Sequence, residues 1–289
     1  MKNVKDLLED KSNLSVFCGA SNPLIAELAQ RAGFDGVWLS SFELHAWNLL
    51  PDASILNTAD YSDVISKIAD RISVPILVDA DEGGPSAINT IRMVREYSKA
   101  GAWGVCIEDN PCPKRCSFYG MQQQLEDSHV TVGKIKAAIE KNQKANFAVI
   151  GRTEALIQAM GNDVALERAR AYTDTGCDGF LIHSKQISPD EILKFCDDYH
   201  KSGLTTPLVV VPTTYNQITT TQLENAGISL AIYPNYSVRA VADVLENMFS
   251  SIIKGESLSK GNDFVSPMNK IFDLIGVDEL RRNQEKYGS

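Results

Sequence analysis

The sequence predicts an α/β protein whose strands and helices close into a (β/α)8 TIM-type barrel. First, short apolar runs and helical segments alternate eight times along the 289 residues, which is typical of this barrel. Second, a weak internal repeat marks the junctions, because a helical pattern ends at a glycine and an apolar run follows it. The repeat occurs at residues 32–37, 100–105, 175–180 and 226–231.

The apolar runs are short and lack polar alternation, which indicates parallel strands that are buried on both faces. The predicted strands are residues 14–18, 36–39, 75–78, 104–107, 147–151, 179–182, 207–211 and 230–233. The predicted helices between them include residues 22–32, 61–72, 87–100, 132–141, 163–175 and 189–202. An open doubly wound sheet also fits the alternation, but eight strands favour closure.

Two segments stand outside the repeat. Residues 110–130 form a long polar connection after the fourth strand, longer than most loops of this kind, and we predict a mobile gating loop there. Residues 262–289 form a C-terminal extension with two short helices, near 267–275 and 278–287. Because no low-complexity linker divides the chain, we expect residues 1–289 to form one domain.

The composition of the chain indicates which partners are not expected and in which cellular compartment the protein is expected. The formal net charge is −9, and no cluster of Lys and Arg exceeds a pair, so neither nucleic acid nor a membrane is an expected partner. The six cysteines contain no C-x-x-C pair, and residues 1–10 lack the apolar core of a secretory signal. No apolar run approaches the roughly 20 residues that span a bilayer. A cytoplasmic location is therefore expected.

Carboxylates and other polar residues close several of the predicted strands, where the chemistry of such barrels lies. Asp79 and Asp81 end the third strand, and Glu108 ends the fourth. Buried carboxylates need a cation or a proton, and a hard ion such as Mg²⁺ or Mn²⁺ would satisfy all three. Each acid alone could instead cap a helix or pair with Arg152; the three together favour a metal site. Arg152 and His183 complete a predicted anion pocket.

These strand ends resemble those of the phosphoenolpyruvate mutase and isocitrate lyase superfamily, and the similarity extends over residues 14–287. Residues 79–84 are similar to the D-x-D-[TN]-G metal loop. Glu108 and residues 113–117 are similar to the acid of the fourth strand and the mobile loop of that superfamily. Residues 150–155 resemble its A-R-[TV]-E-A element.

Two branches of the superfamily compete. The C–P branch, which comprises phosphoenolpyruvate mutase and phosphonopyruvate hydrolase, resembles this chain at residues 183–185 and 211–215. Residues 51–56 are particularly similar to the hydrolase. The C–C lyases carry a K-[KR]-C-G-H loop, and residues 114–116 match its first three letters before Ser117 departs.

The chain also departs from the mutase pattern E-D-K-x-x-x-K-x-N-S. Asn110 replaces its first lysine and Cys116 replaces its asparagine. Gly84 stands where an aromatic residue is usual, and Glu82 stands where a small polar residue is common. Because of Glu82 and Gly84, the alternative that the barrel is retained for binding or regulation without turnover stays open.

The resemblance implies a role for each site residue. It implies a metal held by Asp79 directly, with Asp81 and Glu108 acting partly through water. The implied contacts of the pyruvoyl unit and its surroundings are Trp38, Ser40, Ser41, Phe42, Pro212 and Thr213. The implied catalytic groups are Asp52, Lys114, Cys116, Ser117, Arg152 and His183.

The predicted activity is the interconversion of phosphoenolpyruvate and phosphonopyruvate through a metal-stabilised enolate, with Mg²⁺ or Mn²⁺ as cofactor and a small anionic 2-oxo acid as substrate. The alternatives are phosphonopyruvate hydrolysis and a C–C lyase reaction that uses the Cys116 thiol. The resemblance also implies a homotetramer, built from dimers that exchange the eighth helix at residues 237–254.

Overall fold

The computed structural model describes residues 2–116, 119–120, 123–257 and 265–288. Its eight strands form one closed barrel in sequence order, and every neighbouring pair is parallel, including β1 with β8. Closure confirms the predicted barrel and excludes the open sheet. The strands are β1 Ser15–Gly19, β2 Gly36–Leu39, β3 Ile76–Asp79, β4 Gly104–Glu108, β5 Ala148–Thr153, β6 Gly179–Ile182, β7 Leu208–Val210 and β8 Ile228–Tyr233.

The strand bounds differ from the predicted ones by at most two residues. The differences matter at the carboxyl ends, because Asp79, Glu108 and Arg152 belong to β3, β4 and β5 instead of following them. Strand pairing therefore fixes these side chains. In the register of the sheet, Glu108 lies opposite Arg152 and Asp79 lies opposite Cys106.

The helices of the barrel unit include two that the apolar pattern did not predict, Val4–Glu9 and Ser41–Trp47. The helices are α1 Val4–Glu9, α2 Pro23–Ala32, α3 Ser41–Trp47, α4 Thr58–Ala69, α5 Ala87–Ala100, α6 Ser128–Lys141, α7 Asn162–Thr173, α8 Asp190–Lys201 and α9 Thr220–Asn225. Helix α4 begins three residues early because Asn57 and Asp60 form a capping box. Helix α6 begins inside the predicted gating loop, where the Asp127 side chain accepts a hydrogen bond from the backbone of His129.

The core has two layers, as the alternation of side chains along a barrel strand requires. The larger cluster, which includes Val37, Val78 and Val105, packs the strands against the surrounding helices. A second cluster is built from the alternate residues of the strands, such as Phe17 and Trp38, and Leu7 and Leu8 of α1 join it. The interior of the barrel is therefore filled by side chains.

The chain divides into two compact units, residues 1–235 and 236–289. The second unit contains α10 Tyr236–Ile253, α11 Met268–Leu274 and α12 Val277–Tyr287. The last two confirm the helical tail. The single domain and the exchange of the eighth helix stay predictions. Within the described ranges, no helix combines the length and the apolar character needed to cross a bilayer.

Candidate active site

Three buried carboxylates lie at the carboxyl ends of β3 and β4. Asp79 and Glu108 are the last residues of these strands, and Asp81 follows two residues after β3. Their exposed fractions are 6%, 1% and 8%. Asp81 has a positive φ of 49°, a conformation that few residues other than glycine adopt and that is often found at functional sites.

The ammonium group of Lys114 neutralises part of this cluster. Its Nζ lies 2.5 Å from Asp81 Oδ1 and 3.1 Å from Asp52 Oδ2, and the lysine is only 3% exposed. Lys114 comes from the predicted gating loop, whereas Asp52 comes from the connection between α3 and α4. One buried cation therefore joins three loops of the barrel mouth.

The hydroxyl of Ser41 lies between the same two acids. Its Oγ is 2.9 Å from Asp52 Oδ1 and 2.9 Å from Asp81 Oδ2, and it accepts a hydrogen bond of 2.9 Å from the Tyr61 hydroxyl. Because a serine carries one proton, it donates to one acid at a time. Asp52, Asp81, Ser41 and Lys114 thus form a single hydrogen-bonded network.

Burial and neighbouring charges shift the pKa values of Asp52, Asp81 and Glu108 in different directions. Burial raises the pKa of Asp81 to about 7 despite the adjacent Lys114, with the charges of Asp79 and Asp52 adding to the effect. Burial likewise raises the pKa of Glu108 to about 8, although Arg152 opposes it. Burial alone would raise the pKa of Asp52, but the Lys114 charge and the Ser41 hydroxyl hold it below the usual value. Asp52 is therefore ionised near neutral pH, while Asp81 and Glu108 exchange protons there.

A second cationic group lies across the barrel mouth on β5. Arg152 Nε donates to Glu154 Oε1 at 2.7 Å, and Arg152 lies 3.1 Å from Glu108 Oε2 and 3.8 Å from Asp79 Oδ1. His183 Nδ1 is 3.4 Å from Arg152 Nη2 and 3.5 Å from Glu154 Oε1. Glu154 is fully buried and orients both groups. Arg152 and His183 therefore lie together at the barrel mouth, and their predicted role as an anion pocket stays a prediction.

The donor set fits a hard divalent cation that keeps part of its water. No group of three His, Cys, Asp or Glu side chains in the described part of the chain converges as a ready metal cage. Yet Asp79 Oδ1 and Glu108 Oε2 are buried and accept no hydrogen bond, although such atoms are nearly always satisfied in proteins. Mg²⁺ takes one or two carboxylates, several waters and substrate oxygens. These two oxygens are suited to that role.

The loop after β3 is held from behind by two other helices. Gly83 and Gly84 have φ values of 74° and 83°, which glycine adopts without strain. The Thr90 hydroxyl donates to the Gly83 carbonyl at 2.7 Å, and the ammonium of the buried Lys134 donates to the Glu82 carbonyl at 2.8 Å. These bonds fix the backbone immediately after Asp81.

The gating loop lies against the segment that carries Asp52. The Cys116 amide donates to the Asp52 carbonyl at 3.1 Å, the Asp52 amide donates to the Tyr119 hydroxyl at 2.8 Å, and the Lys114 amide donates to Ser54 Oγ at 3.0 Å. Cys116 is 8% exposed. Ser117, predicted to be catalytic, lies outside the described residues.

The remaining predicted residues occupy different environments. Ser40 caps α3, its hydroxyl accepting from the amide of Glu43. Trp38 is 2% exposed and belongs to the cluster inside the barrel. Phe42 and Thr213 are partly buried and Pro212 is buried. Their roles toward a substrate stay predictions.

Three residues of the site were not assigned a role from the sequence. Glu154 follows Arg152 by two positions, and its place in the A-R-[TV]-E-A motif was the available signal. Tyr61 and His45 reach the site from helices. Only the fold brings them there, so no local pattern indicated them.

The class that this fold and site define is a (β/α)8 barrel with buried acids, an arginine and a histidine at its mouth. The phosphoenolpyruvate phosphomutase family model matches residues 4–253, and the chain belongs to this family. Phosphonopyruvate hydrolase from a Variovorax species is 35% identical over 280 residues, 96% of each chain. 2-Methylisocitrate lyase from Salmonella typhimurium is 31% identical over 288 residues, 95% of each chain.

Solved structures agree with this assignment. Phosphoenolpyruvate phosphomutase from Streptomyces platensis subsp. rosaceus superposes with a TM-score of 0.94 at 38% identity, over 99% of this chain and 98% of that one. Phosphonopyruvate hydrolase in complex with oxalate and Mg²⁺ superposes with a TM-score of 0.91 at 33% identity and the same coverage. The family therefore contains mutases, hydrolases and lyases, all enzymes that share this barrel.

Proposed function

We propose that the protein is a divalent-metal-dependent mutase that interconverts phosphoenolpyruvate and phosphonopyruvate. The observation that carries the proposal is the buried ion-pair network of the site, in which Lys114 of the gating loop is 3% exposed and spans Asp52 and Asp81. A phosphoryl group that moves between O2 and C3 of one substrate needs a site that excludes water. The relation to the Streptomyces mutase structure supports the same activity.

A bound Mg²⁺ or Mn²⁺ would supply positive charge for the carboxylate and C2 oxygen of the pyruvoyl unit, with Asp79 as ligand and with Asp81 and Glu108 acting partly through water. The chain's own residues do the rest. Arg152 and His183, oriented by Glu154, bind the phosphoryl oxygens. Preorganised donors of this kind stabilise charge that develops during transfer.

Asp52 and Lys114 complete the site from the opposite loops. Asp52 is ionised and its carboxylate is held by Ser41 and Lys114, so it is suited to orient the transferring group or to attack it. Lys114 offsets the charge of the trianionic substrate. Ser40 and Ser41 begin α3, where backbone amides favour a carboxylate.

The test is ³¹P NMR of the purified protein incubated with Mg²⁺ and phosphonopyruvate. The mutase is expected to convert the phosphonate signal into that of phosphoenolpyruvate and to reach the same ratio from either side. Inorganic phosphate with pyruvate as the main product would overturn the proposal and identify a hydrolase. The hydrolase is the second candidate, because the Asp52 segment and the 35% identity to the Variovorax enzyme favour it.

Cys116 separates the C–C lyase from both phosphonate activities. Its thiol lies in the gating loop at 8% exposure, and its amide binds the Asp52 carbonyl. A lyase that uses this thiol as acid would lose most of its turnover in Cys116→Ser, since serine is a far weaker acid. The mutase is expected to keep its activity within about fivefold. Splitting of methylisocitrate or oxaloacetate by the wild type would favour the lyase.

We further propose that the enzyme is a cytoplasmic homotetramer. Supporting this, α10 in the second unit exposes Phe249, Ile252 and Ile253, and apolar side chains in such a group are typical of an interface. Light scattering measures the mass directly. A monomer at micromolar concentration would contradict the tetramer.

A further inference from the structure

His45 is buried beside Asp52 although it lies on a helix behind the acid cluster. The imidazole is 0% exposed, and its Nδ1 is 3.6 Å from Asp52 Oδ1 and 2.8 Å from the Ser41 carbonyl. The ring therefore lies against Asp52, which pairs with Lys114, and against Ser41, which is hydrogen-bonded to Asp81.

The hydrogen bonds of the ring define its tautomer. The Leu56 amide donates to His45 Nε2 at 3.3 Å, so Nε2 is the acceptor and the proton of the neutral ring is on Nδ1. Nδ1 then donates to the Ser41 carbonyl, with Asp52 Oδ1 close by. The ring therefore joins the start of α3 to residue 56.

The segment between these points, residues 48–57, is called here the Asp52 loop. Leu49 and Ser54 in this loop have φ values of 54° and 52°, which are unfavourable for residues with side chains. The amide of Leu50 donates to the His45 carbonyl at 3.0 Å, and the Leu56 amide donates to the ring. His45 thus holds the strained loop near both of its ends.

The Asp52 loop is also the surface on which the gating loop lies. Backbone or side-chain atoms of Asp52 and Ser54 bind Lys114, Cys116 and Tyr119. The Ser54 hydroxyl in turn donates to Glu82 Oε2 at 3.1 Å, beside Asp81. A displacement of the Asp52 loop would therefore move both the Asp52 carboxylate and the contact surface of the gating loop.

We propose that His45 is a positioning residue, which holds the Asp52 loop so that the Asp52 carboxylate meets Lys114 and the loop keeps its contacts with Cys116 and Tyr119. This inference rests on the proposed function, because it gives Asp52 a part in the reaction. It assigns His45 an effect on kcat and on water exclusion, and none on the affinity of the resting site for Mg²⁺.

The test compares His45→Phe, which keeps volume but loses both hydrogen bonds, with His45→Gln, whose amide can donate toward Ser41 or accept from Leu56. We expect His45→Phe to lower kcat by about 10- to 100-fold, the range that small misplacement of a catalytic group produces. Its Mg²⁺ affinity by calorimetry should stay within twofold, and inorganic phosphate should rise as a fraction of product. His45→Gln should recover at least part of kcat. The exposed His129, changed to Gln, is the matched control.

The result that would overturn the inference is a folded His45→Phe with kcat within twofold of wild type. An equal loss in the folded Phe and Gln variants would also overturn it. Near-ultraviolet circular dichroism checks the fold. If the wild type turns over none of the substrates, the proposed function fails, and ¹H–¹⁵N NMR of the imidazole then decides the structural claim. A proton on Nδ1 with slow exchange of the Leu56 amide supports it, and a proton on Nε2 rejects it.

Discussion

The ammonium group of Lys114 lies within the acid cluster, where it forms ion pairs with both Asp52 and Asp81. A charge in a site of low dielectric acts much more strongly than at the surface. Burial opposes the charged form of Lys114, but the neighbouring carboxylates raise its pKa well above the ordinary value. The lysine is therefore a fixed cation, unlike a general base.

Lys114→Met is accordingly expected to lower kcat by about 10²- to 10³-fold, since it removes charge that stabilises the transferring group. Arg115→Met changes the exposed neighbour in the same loop and should stay within threefold of wild type. Steady-state kinetics with phosphonopyruvate checks both. Equal effects of the two changes would show that net loop charge matters and that the position of Lys114 does not.

The sequence predicts a site residue when a local pattern marks its position, and it does not when only the fold brings the residue to the site. Asp79, Asp81, Glu108 and Arg152 could be found because each closes an apolar run. Tyr61 could not, since its hydroxyl reaches Asp81 across 20 positions. The ion pair between Lys114 and Asp81 spans 33 positions and depends on how the gating loop folds back.

At the scale of the elements, Asp109 ties the end of β4 to β5 and α7. Its buried carboxylate accepts hydrogen bonds from Thr153 Oγ1 at 2.6 Å, the Glu154 amide at 2.9 Å, Arg168 at 3.0 Å and the Tyr172 hydroxyl at 2.9 Å. These bonds hold the strand end from which Arg152 and Glu154 project. Asp109 thus supports the strand end that carries Arg152 and Glu154.

Asp109→Ala should lower the free energy of unfolding by about 3–5 kcal/mol, because it leaves Arg168 without its buried partner. Asp174→Ala, which removes an exposed acid at the end of α7, should change it by less than about 0.5 kcal/mol. Urea unfolding followed by circular dichroism measures both. A small loss at Asp109, similar to that at Asp174, would show that the network is dispensable.

The apolar pattern of the sequence predicts the strands of this protein better than its short helices. The strands were placed within two residues because parallel barrel strands are buried on both faces and give continuous apolar runs. Helix α3 was missed because Ser41–Trp47 is only seven residues long and carries Glu43 and His45 in its buried face. Those buried polar groups lie at the mouth of the barrel. The apolar pattern therefore failed to predict α3 because polar residues replace apolar ones on its buried face.

For the molecule as a whole, the raised pKa values of Asp81 and Glu108 link stability to pH. In the unfolded chain these acids titrate near pH ~4, whereas in the folded protein they titrate at about 7 and about 8. Between these limits the folded state binds more protons, so its stability falls as pH rises.

Metal-free protein should therefore unfold at a lower urea concentration at pH 8.5 than at pH 5.5. Glu108→Gln should flatten this dependence, since it removes one of the two titrating acids. Urea midpoints measured in EDTA across that range test the claim. Midpoints that stay level or rise with pH would contradict it, because acids that are ionised throughout this range bind no extra protons in the folded state.

We have proposed that the cluster of Asp79, Asp81 and Glu108 binds a divalent cation on which phosphoryl transfer depends. The most direct measurement is phosphoenolpyruvate formation from phosphonopyruvate as Mg²⁺ is titrated into EDTA-treated protein, for wild type and Asp79→Asn. We expect Mg²⁺ to activate phosphoenolpyruvate formation by the wild type in a saturable manner, and the rate of Asp79→Asn to be lower by at least about 100-fold. Turnover that survives EDTA, or an Asp79→Asn enzyme that Mg²⁺ activates like the wild type, would contradict it.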